Sequence, residues 1–140
     1  MPPTITRGYK ALLEEANSQI ETIDAADAVN RFPQGGVGLA DVVIVDLRDP
    51  REIEREGRIP GSFHCPRGML EFWIDPESPY FKPVFGEAKS FLFYCASGWR
   101  SALSARTAQE MGLKPVAHLK GGFTAWKNAA GPVETVGEHG

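Results

Sequence analysis

Residues 90–101 read SFLFYCASGWRS, and this stretch decides the fold. An apolar run ends at Cys95, a tight polar loop with one glycine follows, and a helix is expected over 99–111, closed by Gly112. The run over 90–95 suits a strand buried on both faces, as in a parallel sheet. Cys95 therefore falls where a strand gives way to a helix N-terminus. Loop N–H groups and the positive end of the helix dipole favour negative charge at that point. A thiol held there should ionise more readily than a free cysteine, and the thiolate is the nucleophilic form. The sequence thus nominates Cys95 as a catalytic nucleophile.

Outward from this stretch, residues 42–47, VVIVDL, are a second branched-aliphatic strand. Asp49-Pro50 then opens a short charged helix through Glu56, with Pro50 at its first position and Gly57 closing it. Ile59-Pro60-Gly61 is a turn into a brief strand at 62–65, and 116–119 is a last short strand. Toward the N-terminus, Tyr9, Leu12, Leu13, Ala16 and Ile20 recur at helical spacing over 7–20, and 20–23 is extended. Asp24 is placed to cap a helix over 25–32 that ends before Pro33. Residues 34–39, with three glycines, read as a loop. Gly121-Gly122 leads into a helix bearing Phe123 and Trp126, and the chain is expected to fray from Gly131.

Residues 66–89 are irregular and proline-rich, with one or two helical turns expected over 68–73. MLEFWI and YF are too apolar to stay solvated, so this insert is expected to be a structured wall over a site. Strands alternating with helices imply βαβ units and a parallel sheet covered on both faces.

At 140 residues the chain holds one domain with a real core. Its 42% hydrophobic and 24% charged residues are ordinary for a globular protein. A net charge of −3 leaves no footprint for nucleic acid or an anionic membrane. No apolar segment approaches the roughly 18 residues of a membrane span. The opening MPPTITRGYKALLEEA is not read as a secretory signal. Two cysteines make no disulfide framework, and a reducing cytoplasm suits a working thiol better than a Cys65–Cys95 bridge.

Four segments in order, VVIVDLRDPREIE, GRIPGSFHCP, FLFYCASGWRS and HLKGGFTAW, give the chain a strong resemblance to single-domain rhodanese-like proteins from about Asp24 to Ala130. The resemblance implies an α/β three-layer fold: a five-stranded parallel sheet flanked by helices on both faces, with the nucleophile after the fourth strand. It also implies a persulfide carried on Cys95. The expected organisation is a helical extension over 1–19, the rhodanese-like domain over 20–131 and a flexible tail over 132–140. Two departures from the family pattern are Arg58, often histidine there, and His64, often asparagine; the insert is longer than in minimal members.

Sulfur transfer needs a thiolate and a cradle for an anionic outer sulfur. Backbone N–H groups of Ala96, Ser97, Gly98, Trp99, Arg100 and Ser101 can converge on Cys95, with Gly98 letting the chain curl. Arg100 is the second candidate catalytic residue beside Cys95, since it can brace the loop or fork an anionic donor. Trp99 either faces substrate or packs on 66–81, and Arg67 is the candidate outer anion contact. Asp46 and Arg48, at the end of a buried strand, anchor neighbouring loops, with an orienting role near the pocket open to Asp46. His64 and His118 match no zinc spacing and read as structural, and Cys65 as a small core residue.

The leading function is a sulfurtransferase, taking sulfur from thiosulfate or a persulfide, on a small molecule or protein, to a thiol or cyanide acceptor. No cofactor or metal is expected, and a monomer or weak homodimer is. A phosphatase or arsenate reductase is the first alternative. Phosphatases of this fold place five residues between cysteine and arginine, whereas four stand between Cys95 and Arg100. A sulfur carrier or partner-binding module without enzymatic turnover is the second.

Overall fold

A computed structural model describes residues 1–136. Five parallel strands, β1 (Glu21–Ile23), β2 (Val42–Asp46), β3 (Phe63–His64), β4 (Ser90–Tyr94) and β5 (Val116–Leu119), form one sheet in the order β1-β5-β4-β2-β3. The two apolar runs read first, β2 and β4, pair along their whole length from Val42–Ser90 to Asp46–Tyr94. Their side chains supply both faces, because alternate residues of a strand point to opposite sides. Val45, Phe91 and Phe93 enter one core; Ile44, Leu92 and Tyr94 enter the other.

Helices α1 (Tyr9–Gln19), α4 (Leu70–Ile74) and α5 (Trp99–Met111) cover the first core, while α2 (Ala25–Arg31) and α6 (Gly122–Asn128) cover the second. The short α3 (Pro50–Glu56) follows β2. Its start is fixed as its residues dictate: Asp49 accepts from the Arg51 and Glu52 amides while Glu52 reaches back to the Asp49 amide. Asp24 stands at the start of α2 but makes no capping hydrogen bond there.

Two regions depart from the sequence reading. The insert closes the first core instead of walling a site. Leu70, Ile74 and Phe85 are buried in it, and Phe63 meets Trp73 and Phe85 edge-on. Its apolar residues find the open face beside β3, where they remove more hydrocarbon from water than a wall over a polar loop would. The segment expected to fray is tied down at least to Glu134, whose backbone bonds both ways with Arg58 and whose carboxylate accepts from the Arg58 guanidinium at 2.6 Å. Trp126 adds a bond from its indole N–H to Pro132 O. Residues 137–140 of the expected tail lie outside the described residues.

Candidate active site

Cys95 follows β4 at the C-terminal end of the sheet, where parallel α/β sheets place their sites. The chain turns at Gly98, whose φ of +101° suits glycine, and enters α5 at Trp99. This brings two amides onto one sulfur: Gly98 N donates to Cys95 Sγ at 3.2 Å and Ser101 N at 3.4 Å. Ser101 Oγ lies 3.6 Å from the same sulfur. The Cys95 residue is 1% exposed, yet its sulfur meets N–H and O–H groups rather than hydrocarbon alone. The sequence reading had every amide of the loop converging; Gly98 and Ser101 are the two that donate to it.

The loop is held from behind by the start of α6. Phe123 N donates to Cys95 O and Thr124 N to Ala96 O. Gly122 makes this approach possible, since a Cβ there would sit 2.5 Å from Cys95 O. The glycine pair in HLKGGFTAW thus positions the cysteine loop as well as its own turn.

On one flank, Arg100 is engaged by a carboxylate. Its two terminal nitrogens donate to the two carboxylate oxygens of Glu52 at 2.8 Å each, which ties α5 to α3. The Arg100 hydrogen bond, set against partial burial, holds the Glu52 carboxyl at about 2, below its ordinary 4.5. Of the two roles open to Arg100, the structure displays the brace. A cavity of about 230 Å³ opens here beside Ala96, lined by Arg48, Glu52, Arg55 and Lys127 among others.

On the other flank, a cavity of about 420 Å³ is bounded by Asn17, Thr22, Ser97, Gly98, Trp99, His118, Lys120 and Gly121. Trp99 lines it and leans on Tyr9 of α1, ring centroids 5.0 Å apart, instead of packing on 66–81. Arg67 lines neither cavity; its guanidinium donates to Glu71 at 3.0 Å, one turn along. Asp46 is fully buried, and its hydrogen bonds go to Arg48 and Tyr94, with none to the sulfur. It accepts three times from Arg48, from the backbone amide and from two guanidinium nitrogens, and once from the Tyr94 hydroxyl, and so orients those two. Arg48 reaches on to Gly57 O, and Tyr94 takes the Ile59 amide.

His64 donates from Nε2–H to Arg48 O, 2.6 Å away, in a structural contact. His118 is likewise buried and hydrogen-bonded, and its bond to Ser101 Oγ at 3.0 Å also joins it to the cysteine's own partner. The sequence reading does not single out Asn17, Lys120 or Glu52, and does not connect His118 to the cysteine loop. The one available signal was position, since 118 and 120 lie at the same sheet end as Cys95. Cys65 is a buried, free thiol, pushed up to about 12 by burial, and Cys95 is also free. Among the described residues, no group of three or more His, Cys, Asp or Glu is placed to hold a metal. No helix of the described residues is long and apolar enough to cross a membrane.

A strand-to-helix cysteine loop at the carboxyl edge of a five-stranded parallel sheet defines a class, and known proteins bear on it. The family description "Rhodanese-like domain" matches residues 12–129. The chain belongs to the rhodanese-like domain family. It is 68% identical to a Rhodopseudomonas palustris protein of unknown function, described as a possible tyrosine phosphatase; the superposition covers 96% of this chain and 99% of that one, with a TM-score of 0.90. Thiosulfate sulfurtransferase GlpE of Pseudoalteromonas translucida is 33% identical over 89 residues, 64% of this chain and 76% of that protein. Mouse thiosulfate sulfurtransferase/rhodanese-like domain-containing protein 3 is 29% identical over 91 residues, 61% of this chain but 58% of its own length. The present chain thus corresponds to little more than half of that relative.

Proposed function

We propose that this protein is a sulfurtransferase that carries sulfur as a Cys95 persulfide. In the first half-reaction the Cys95 thiolate attacks the sulfane sulfur of thiosulfate or of a persulfide. The donor's S–S bond breaks, and sulfite or a thiolate leaves with the electron pair. In the second, a thiolate or cyanide attacks the outer sulfur, and Cys95 departs as thiolate. The observation that carries this reading is the pair of N–H donors, Gly98 and Ser101, aimed at Cys95 Sγ. Such donors stabilise negative charge on sulfur before and after transfer. Ala96, Ser97 and Trp99 form the mouth; Arg100 and Arg67 act on an anionic donor only by exchanging Glu52 or Glu71 for it. The free state of both thiols fits a reducing compartment, and the cytoplasm is part of this reading.

A phosphatase is the second reading, favoured by the description of the 68% identical neighbour. The geometry weighs against it. A phosphatase arginine must fork the phosphate, whereas Arg100 has both terminal nitrogens on Glu52. Only four residues separate Cys95 from Arg100, a span suited to one sulfur atom rather than a tetrahedral oxyanion.

Intact-mass analysis after incubation with thiosulfate tests the proposal. The expected result is a gain of one sulfur atom that vanishes in Cys95→Ser. No gain, together with hydrolysis of an aryl phosphate that depends on Cys95, would install the phosphatase in its place.

A further inference from the structure

Three hydrogen-bonding steps join the reactive sulfur to the N-terminal helix. Cys95 Sγ lies 3.6 Å from Ser101 Oγ, Ser101 Oγ 3.0 Å from His118 Nδ1, and His118 Nε2 3.0 Å from Asn17 Oδ1. Ser101 is fully buried and His118 is 3% exposed, so the Ser101–His118 link is shielded from water, while Asn17 reaches His118 from the exposed face of α1. The direction of the chain follows from its far end. An amide oxygen only accepts, so Asn17 Oδ1 requires the proton on Nε2 and leaves Nδ1 bare. The Ser101 hydroxyl then donates to Nδ1, and its oxygen is left to accept from the Cys95 thiol.

We propose that His118 is the proton acceptor of the Cys95 thiol, working through Ser101 and held in the required tautomer by Asn17. His118 touches no reacting atom and is therefore a positioning residue. The proposal rests on Cys95 being the nucleophile. The S–H bond of Cys95 breaks and sulfur keeps the electron pair. The proton joins Ser101 Oγ as the hydroxyl proton passes to His118 Nδ1. Neutral thiol and neutral imidazole become thiolate and imidazolium, so the net charge of the buried group does not change.

Burial alone pushes His118 down, from 6.5 to about 4, and keeps it neutral at rest. The imidazolium forms only when a thiolate stands opposite it, because an opposite charge nearby favours the charged form. α1 faces His118 with Asn17, and α5 with Ser101; β1 and β4 pair with it at Thr22 and Phe93. The charged or titratable groups bearing on it are the Cys95 thiol, through Ser101, and Lys120, which lines the same cavity.

The test is the rate of Cys95 alkylation by iodoacetamide against pH, resolved by peptide mass spectrometry. His118→Asn places an amide oxygen where Nδ1 stood, so the Ser101 bond survives while the basicity is lost. The acid limb of its profile is expected to rise by about one pH unit, which makes alkylation about tenfold slower below that limb. Asn17→Asp sets a carboxylate on Nε2–H and should lower the limb in the native background, but raise it in His118→Asn. Superimposed profiles for native protein and His118→Asn would overturn the relay, as would Asn17→Asp shifting both backgrounds the same way. Should His118→Asn fail to fold, Asn17→Asp and Asn17→Leu carry the test with opposite expected shifts, and an unmoved limb in both overturns the proposal. No sulfur donor enters this experiment. A relay profile without sulfur uptake sinks the proposed function alone, while sulfur uptake with superimposed profiles sinks the relay alone.

Discussion

Cys65 and Cys95 are equally buried, yet they occupy opposite kinds of surroundings. Cys65 sits in the first core, and its hydrogen-bond contact is to Pro66 O, an acceptor, at 3.9 Å. Burial pushes that thiol up to about 12, where it is inert. Cys95 instead receives two N–H groups and lies beside a hydroxyl. Exposure does not separate the two thiols; the hydrogen-bond donors around each sulfur do.

The largest effect that sharpens this contrast is chemical. Cys95→Ser should abolish sulfur uptake, while Cys65→Ala should leave uptake intact and cost about 1–2 kcal/mol of stability through lost core packing. Denaturant melts beside the mass assay check both halves, and uptake lost in Cys65→Ala alone would break the comparison.

Next comes the support beneath Cys95. Gly122 has φ of +62° and no room for a Cβ against Cys95 O and Ala96. Gly122→Ala should cost roughly 2–4 kcal/mol and displace the loop, so thermal stability and sulfur uptake fall together. Native stability with native uptake would show that the loop needs no such backing.

A third effect is pH-dependent. His118 is held at about 4 in the fold against 6.5 unfolded, so the unfolded chain binds the extra proton between those values. Stability should therefore fall as pH drops from 6.5 toward 4, by up to roughly 3 kcal/mol, and His118→Asn should flatten that slope in chemical melts at stepped pH.

The smallest effect concerns Glu52, held at about 2 by Arg100. Its contribution is present above 4.5 and lost as pH falls toward 2. With Arg100 41% exposed, screening reduces it to about 1 kcal/mol, read as a shallower acid limb of stability in Glu52→Gln.

The strands and the cysteine loop were legible in the sequence because each is specified locally. β2 and β4 are built on the apolar runs 42–45 and 91–94, and Gly98, Gly112 and the Asp49-Pro50 pair mark helix ends within a few residues. Contacts between distant segments were not legible. Ser101 is 17 residues from His118, Asn17 is 101 residues from it, and Arg100 is 48 from Glu52. Nothing in local spacing reveals such pairs, so Arg100 read equally as brace or anion fork, and His118 as a structural histidine. The insert was misread for a related reason. Its aromatics announce burial, but not which surface they bury.

A crystal structure of the protein soaked in thiosulfate tests the central claim most directly. The account predicts one extra sulfur atom on Cys95, within hydrogen-bonding distance of the loop amides, and an unmodified Cys65. An unmodified Cys95 beside intact amides, or sulfur lodged on Cys65, would contradict it.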